Sequence, residues 1–348
     1  MPNPFFFAGK ITNAEHFVGR EKELKKIFGY LDVAQTGQIQ HAALVGERRM
    51  GKSSLLYHIS QVYQKNLPDP RKYCFVYLDL DEPHCHTQYG LLRLILEKLD
   101  LPAPAQPTLK RFYELIENKH VKDNIWPVLL IDEFEHLSQR AVEFPDSFYD
   151  ALRSLGNNNL VGLVTASQHP LSDLADQGKL TSPFFNIFHQ IDLGGFTDIE
   201  ANALLNRGRV SDSPFTEDDC NQILKIAGKY PARLQIVASL AYQAKSGDNK
   251  PDWKAIKAEA LKEPPFNTSA PHKANGLLAP FKWLFWHMPQ YLGHTILVVI
   301  GRGGQTNETT DCLIGYLALI IAFGLLAGLI PWPLVTKFIN RLSQLFFQ

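Results

Sequence analysis

Short apolar runs alternate with amphipathic stretches through the first 195 residues. Five runs have the length and the apolar or aromatic character of strands: residues 41–45, 73–80, 126–131, 160–165 and 188–193. Segments with one apolar face lie before and between them and predict helices at residues 21–31, 53–60, 91–99 and 109–118. Strands that alternate with helices are typical of a parallel sheet, so we predict an α/β fold for residues 1–195.

The pattern becomes helical after residue 195. Periodic apolar positions predict helices at residues 198–207, 216–227 and 231–244, and acidic residues occupy the first turns of two of them. We therefore predict a small helical domain at residues 196–262. Prolines at positions 264, 265 and 271 indicate a linker over residues 263–280, and a hydrophobic tail follows at residues 281–348.

Composition sets limits on the class of protein. A chain of 348 residues is long enough for two or more domains. Lys+Arg and Asp+Glu both number 35, so the chain lacks the basic excess that is typical of nucleic-acid-binding proteins. Four scattered cysteines are consistent with a reducing compartment.

The segment between the first predicted strand and the next helix reads Gly46-Glu-Arg-Arg-Met-Gly-Lys-Ser53, which fits G-x-x-x-x-G-K-[ST]. In such a phosphate-binding loop (P-loop), backbone N–H groups surround an anion at a helix N-terminus. Lys52 would contact the β- and γ-phosphates, and the Ser53 hydroxyl would bind Mg²⁺. Arg48 and Arg49 either neutralise phosphate charge or face solvent. The predicted nucleotide contacts here are Gly46, Glu47, Arg48, Arg49, Met50, Gly51, Lys52, Ser53 and Ser54.

A pair of acids completes this predicted site. Asp132 and Glu133 follow the apolar run 126–131, where Asp132 would hold Mg²⁺ and Glu133 would act with Lys52 in catalysis by activating water. The Asp132-Glu133 pair favours ATP as the expected nucleotide. Asn118-Lys119 does not complete the Asn-Lys-x-Asp motif of guanine recognition; Asn249-Lys250-Pro251-Asp252 fits those letters but lies outside the predicted sheet. Ser167 and Gln168, which follow the next strand, are either γ-phosphate sensors or simple strand-end caps.

Four segments resemble the STAND-type and archaeal-ATPase branch of AAA+-related P-loop ATPases. They are Phe17-Val-Gly-Arg-Glu, Gly46 to Leu56, Leu129-Leu-Ile-Asp-Glu, and Gly228-Lys-Tyr-Pro, which has one residue more than the Gly-x-Pro lid motif. The resemblance implies that Val18, Gly19 and Arg20 lie near the adenine and ribose. It also implies that Pro231, in the helical lid, packs near the base.

The tail contains a run of 23 residues without a charge, at positions 313–335. About 20 apolar residues cross a bilayer, so we predict a membrane helix there; a buried core helix is the alternative. Residues 281–300 form a weaker candidate. Lys337 and Arg341 favour the cytoplasmic side, as does a nucleotide-binding domain, and both lie inside only if the chain crosses twice as a helical hairpin. We expect the ATPase domain in the cytoplasm, at a prokaryotic inner membrane.

These observations predict a membrane-tethered switch that binds ATP and hydrolyses it with Mg²⁺, in signalling or assembly. A homo-oligomer or an unidentified protein is the expected partner, and Gly324-Leu-Leu-Ala-Gly328 is a spacing that lets two membrane helices approach closely. One alternative is a DNA-associated ATPase of origin-recognition or transposition type, although the neutral net charge speaks against a nucleic-acid partner. The other is an ATP-binding scaffold with little turnover.

Overall fold

The computed structural model describes residues 3–5, 9–178, 180–206, 215–246 and 251–263. All of them lie in the first compact unit of the chain, residues 1–267. Within these ranges no helix has the length and apolar character needed to cross a bilayer. The two predicted membrane segments, 281–300 and 313–335, lie outside the described residues, so the membrane helix or hairpin stays a prediction.

A five-stranded parallel sheet forms the centre of the unit, with the spatial order β2-β3-β4-β1-β5. The inner strands β3 and β4 are buried along their whole length, as expected of continuous apolar runs covered on both faces. The predicted α/β sheet is confirmed, with strand ends shifted by up to two residues. The strands are β1 His41–Val45, β2 Tyr73–Asp79, β3 Trp126–Asp132, β4 Gly162–Ser167 and β5 Phe188–Asp192.

Helices cover both faces of the sheet, and those after β5 form a separate helical region. They are α1 Glu21–Asp32, α2 Lys52–Asn66, α3 Gln88–Lys98, α4 Leu109–Asp123, α5 Glu135–Gln139, α6 Asp146–Asn157, α7 Leu171–Gly178, α8 Asp198–Asn206, α9 Glu217–Ala227, α10 Pro231–Ser246 and α11 Trp253–Ala260. Sequence patterning did not predict α5, α6, α7 or α11. Of these, α6 has the clearest signal, because Phe148, Tyr149, Leu152 and Leu155 form one buried face.

Alternate residues along the inner strands divide the core into two layers. Leu129 and Ile131 of β3 pack in the cluster that includes α3, α4, α6 and α7. Val128 and Leu130 of the same strand point to the opposite face and pack against α1 and α2. A third cluster lies among α8, α9, α10 and α11 and includes Phe5. One sheet therefore lies between two layers of helices, and the helical region after β5 has an apolar core of its own.

The strand order determines where the functional site lies. Since β4 pairs with both β1 and β3, the carboxyl ends of these three strands are neighbours. The backbone N–H of Gly46, just after β1, donates to the carbonyl of Ser167 at the end of β4 over 3.3 Å. Ligands of open parallel sheets bind at this carboxyl edge. The predicted phosphate loop, acids and sensor residues are thereby brought to one edge.

Candidate functional site

The loop between β1 and α2 has the backbone of an anion site. Gly51, at the N-cap of α2, has a φ of 90°, and Arg49 has a φ of 64°, both in the left-handed region. A Cβ atom at Gly46 would lie 2.7 Å from the carbonyl oxygen of Leu193, so only glycine fits there. This course directs the loop toward the N-terminus of α2, where unpaired N–H groups favour a phosphate.

Lys52 is buried inside this loop, with 6% of its surface exposed. Its Nζ atom donates to the carbonyl oxygens of Gly46, over 2.7 Å, and of Glu47, over 3.0 Å. Burial lowers the pKa of Lys52, while the negative charges of Glu133, Glu135 and Asp132 act in the opposite direction. The ammonium group therefore lies at the centre of the loop, beside the acids of β3.

The other loop residues divide between solvent and core. Arg48 and Arg49 are exposed, which is the arrangement expected of their solvent-facing alternative. Met50 is buried in the core cluster beneath α1 and α2, and Ser54 accepts a hydrogen bond on Oγ from the N–H of Ile11 over 3.0 Å. The side chains of Met50 and Ser54 thus make contacts inside the protein, so their predicted contacts with the nucleotide would come from the backbone.

The two predicted metal ligands are in contact. The Ser53 hydroxyl hydrogen-bonds to the Asp132 carboxylate, which also accepts from the Tyr77 hydroxyl over 2.7 Å and from the N–H of Glu133 over 3.1 Å. Asp132 is only 2% exposed, and burial raises its pKa while the hydrogen bonds lower it. A hydroxyl and a carboxylate are the oxygen ligands that Mg²⁺ prefers. Among the described residues no group of three or more His, Cys, Asp or Glu could hold a metal, so phosphate and water oxygens would complete the coordination.

Glu133 has the environment of a general base. Burial raises its pKa to about 7, and the negative charges of Glu135 and Asp132 add to the increase. Its φ of 52° places its backbone in the left-handed region at the turn after β3. A carboxylate whose pKa lies near the operating pH is well suited to accept a proton from water. Glu133 and Lys52 are close enough that each contributes to the pKa of the other.

Glu135 was not among the predicted site residues. It lies in the first turn of α5, is 6% exposed, and neither of its carboxylate oxygens has a hydrogen-bond partner. Its charge acts on both Lys52 and Glu133. The only signal in the sequence is the spacing of the acids in Asp132-Glu-Phe-Glu135.

The two candidate sensor residues lie at the end of β4, between the phosphate loop and β3. Ser167 is fully buried, and its hydroxyl donates to the carbonyl of His169 over 2.7 Å. That contact is the one expected of a strand-end cap. Gln168 is half-buried. A sensor role for either residue stays a prediction.

The Val18-Gly19-Arg20 segment contacts the phosphate loop from the other side. The Arg20 guanidinium is 4% exposed and donates to the carbonyls of Met50, over 3.1 Å, and of Gly194, over 2.7 Å. The backbone N–H of Arg20 donates to the Glu200 carboxylate over 2.6 Å. Arg20 therefore links the loop to the chain that follows β5. The predicted contacts of Val18, Gly19 and Arg20 with adenine and ribose stay predictions.

Tyr230 connects the helical region to the phosphate loop. Its hydroxyl donates to the Glu47 carboxylate over 2.7 Å and to the Arg48 carbonyl over 3.1 Å, and the Arg233 guanidinium lies 4.7 Å from its ring centroid. Burial and the Glu47 carboxylate raise the pKa of Tyr230 to about 12. Sequence reasoning missed this role because Tyr230 is the additional residue of the lid motif. Pro231, the predicted base contact, is buried at the first position of α10.

Two family models match parts of the chain. Residues 126–261 match the family described as Novel STAND NTPase 2, and residues 36–174 match the family described as AAA domain. No functionally curated protein matches the chain in sequence.

Several solved structures share the fold. The ORC2 protein of Aeropyrum pernix, in ADPNP–ADP complexes, superposes with a TM-score of 0.58 at 15% identity, covering 98% of this chain and 89% of that one. A Walker-type ATPase of Pyrococcus abyssi gives a TM-score of 0.55 at 16% identity, with 97% and 93% covered. Cdc6p of Pyrobaculum aerophilum gives 0.54 at 16% identity, with 98% and 89% covered.

The fold, the site and these matches together indicate the class: the chain has a P-loop NTPase fold and resembles archaeal-ATPase-like proteins related to AAA+ ATPases. The resemblance drawn from its four sequence segments is thereby confirmed. Within this class, the family match that spans β3, β4, β5 and the helical region is the one described as Novel STAND NTPase 2.

Proposed function

We propose that this protein is a Mg²⁺-dependent ATPase whose nucleotide state controls its helical lid. The observation that carries the proposal is the convergence of four groups at one sheet edge. The Lys52 ammonium lies inside the loop, Ser53 contacts Asp132, and Glu133 lies beside them with its pKa raised to about 7.

Each group has a part in hydrolysis. The Lys52 ammonium neutralises the charge of the β- and γ-phosphates. Ser53 and Asp132 would hold Mg²⁺, which supplies charge stabilisation to the phosphates when it is bound. The Glu133 carboxylate takes a proton from a water molecule whose oxygen forms the new bond to the γ-phosphorus. The bond from that phosphorus to the β–γ bridging oxygen breaks, which yields ADP and phosphate.

ATP binding and single-turnover hydrolysis test this assignment. We expect Glu133→Gln to bind ATP as the wild type does but to hydrolyse it about 10²–10⁴-fold more slowly. Lys52→Ala should weaken binding itself, because it removes the cation that faces the phosphates. Glu117→Gln, at an exposed position of α4, is the matched control and should behave as wild type. Equal single-turnover rates in wild type and Glu133→Gln would refute the catalytic role of Glu133 and favour the alternative of an ATP-binding scaffold with little turnover.

The lid proposal rests on Tyr230. A phosphate that enters the loop acts on the segment that Tyr230 contacts, so the lid and the nucleotide share an interface. We place the ATPase core at residues 1–195 and the lid at residues 196–262, joined through a linker at 263–280 to the tail at 281–348. ATP binding would change how subunits or partners associate, and hydrolysis would reset the lid.

The membrane tether is a proposal from sequence. The uncharged run at residues 313–335 supports it, together with the basic residues Lys337 and Arg341. We place the ATPase domain on the cytoplasmic side of a prokaryotic inner membrane. Full-length protein should stay in the membrane pellet after alkaline extraction, and replacing Leu325 and Leu326 by lysine should release it. A wild-type chain that leaves the pellet would refute the tether.

A DNA-associated ATPase is the second candidate. The fold is also shared with the ORC1 protein of Aeropyrum pernix in complex with DNA, at a TM-score of 0.52 and 16% identity, with 94% of this chain and 84% of that chain covered. The comparisons thus give no support to the expectation against a nucleic-acid partner. A gel shift on duplex DNA that weakens steeply with salt would favour this candidate, because phosphate contacts release counterions.

A further inference from the structure

A lysine that precedes the Val18-Gly19-Arg20 segment reaches the edge of the site. The Lys10 ammonium donates to the Tyr77 hydroxyl over 3.1 Å and lies 3.0 Å from the Asp79 carboxylate. The Tyr77 hydroxyl in turn donates to Asp132 Oδ2 over 2.7 Å. Three side chains thus form a directed chain of hydrogen bonds, from Lys10 through Tyr77 to a predicted Mg²⁺ ligand.

The pairing of β2 with β3 puts these groups together. Asp79 pairs with Asp132, and Tyr77 lies two residues earlier on β2, so all three side chains share one face of the sheet. Like charges directly opposite one another on a sheet are unfavourable. The Lys10 ammonium, which is 30% exposed, neutralises the Asp79 side of that pair.

The segment that carries Lys10 is also attached to the phosphate-loop helix. The N–H of Ile11 donates to Ser54 Oγ over 3.0 Å, and Ser54 directly follows the other predicted Mg²⁺ ligand, Ser53. Lys10 thus contacts Tyr77, which hydrogen-bonds to Asp132, and the adjacent Ile11 contacts Ser54, which follows Ser53 in the chain. The ring of Tyr57, on the same helix, packs edge-on against Tyr77 with ring centroids 5.5 Å apart.

Asp132 is restrained at both carboxylate oxygens. Oδ1 accepts from the N–H of Glu133, and Oδ2 accepts from Tyr77. Hydrogen-bond partners behind a metal ligand fix its orientation and tune its affinity. Tyr77, which accepts a hydrogen bond from Lys10, therefore supports the Asp132 carboxylate that contacts Ser53.

We propose that Tyr77 and Lys10 are positioning residues that orient Asp132 toward Ser53 and so set the Mg²⁺ concentration that the site requires. The inference rests on the proposed Mg²⁺-dependent ATPase. It differs from a purely structural ion pair because it predicts a change in Mg²⁺ dependence in variants that remain folded at the assay temperature.

The test compares full-length wild type with Tyr77→Phe, Lys10→Met and Lys10→Arg, by equilibrium binding of a fluorescent ATP analogue. Binding is measured in EDTA and across a Mg²⁺ titration, with the thermal unfolding midpoint recorded for each variant. Tyr113→Phe is the matched control, since the Tyr113 hydroxyl accepts a hydrogen bond from the Asn158 side chain over 2.7 Å, away from the site.

We expect Tyr77→Phe to raise the Mg²⁺ concentration at half-saturation about 10-fold, with nucleotide affinity in EDTA unchanged. Lys10→Met should raise it less, and Lys10→Arg should restore it, because the guanidinium keeps the charge and the donors. If Tyr77→Phe does not fold, Lys10→Met, at a half-exposed site, decides the outcome. An unchanged Mg²⁺ midpoint in the folded variants overturns the inference alone. A wild type whose nucleotide binding and hydrolysis ignore Mg²⁺ overturns the proposed function and this inference with it.

Discussion

The Tyr230 hydroxyl donates a 2.7 Å hydrogen bond to the Glu47 carboxylate, and this contact joins the helical region after β5 to the phosphate loop. The same hydroxyl also reaches the Arg48 carbonyl. Glu47 and Arg48 belong to the loop whose backbone would surround the phosphates. The Tyr230 side chain therefore offers a direct route by which a change in that loop would reach the start of α10.

Tyr230→Phe tests this coupling. The variant keeps the ring on which Arg233 lies and loses only the hydroxyl, so we expect the free energy of unfolding to fall by about 1 kcal/mol. Hydrogen exchange at the start of α10 should respond to a non-hydrolysable ATP analogue in wild type and respond less in the variant. Tyr113→Phe again serves as the control. A nucleotide response of full size in Tyr230→Phe would show that the coupling runs elsewhere.

Glu135→Gln should shift the pH dependence of hydrolysis. Glu133 must be ionised to accept a proton, so kcat/KM rises with pH through the pKa of Glu133, which burial raises to about 7. The Glu135 charge contributes to that increase, and its removal lowers the pKa of Glu133. The acidic limb of the kcat/KM profile should therefore move to lower pH. Glu143→Gln, which changes an exposed acid, should leave the limb in place; an identical limb in Glu135→Gln contradicts the assignment.

His41 should make the fold sensitive to acid. Burial lowers its pKa to about 4, and its Nδ1 atom accepts the N–H of Leu163 over 3.2 Å, which requires an unprotonated nitrogen. Because the folded pKa lies below the unfolded value, the stability from this group is present above pH 6.5 and is lost as pH falls toward 4. The loss amounts to about 3 kcal/mol.

The comparison with His41→Asn isolates that contribution. Asparagine keeps an acceptor near the N–H of Leu163 but does not titrate, so the slope of the unfolding free energy against pH should be shallower in this interval. Denaturant unfolding at several pH values measures the slope. His169→Asn changes an exposed histidine and should keep the wild-type slope. Parallel curves for wild type and His41→Asn would show that His41 is not the acid-sensitive group.

Replacing glycine by alanine should change the free energy of unfolding in opposite directions in the phosphate loop and in an ordinary helix. Gly46→Ala forces a Cβ atom against the Leu193 carbonyl, a backbone atom that cannot rotate away, and should lower the unfolding free energy by about 1–3 kcal/mol and weaken ATP binding. Gly29→Ala, within α1 and with open space around it, should instead stabilise the protein by about 0.5–1 kcal/mol. Chemical denaturation of both variants measures the difference, and equal effects would contradict the close approach.

The sequence predicts those features that depend on neighbouring residues. Strand β1 has the predicted bounds because its apolar run is local and is followed at once by the glycine of the phosphate loop. Asp132 could be placed at the end of β3 for the same reason. The contact of Tyr77 with Asp132 requires the register of two strands, and that of Tyr230 with Glu47 joins residues 183 positions apart. Such contacts depend on tertiary packing, which single-sequence patterns do not report.

The hydrogen bonds of Lys52 to Gly46 and Glu47 have a consequence for ligand selectivity. A ligand must offer the ammonium better acceptors than two carbonyl oxygens before Lys52 leaves them. The ammonium is attracted more strongly by a full negative charge than by a carbonyl dipole, so the several anionic oxygens of a triphosphate meet this threshold more readily than a single weak anion. The contacts of Lys52 within its own loop thus favour highly charged ligands over the small anions of the surrounding solution.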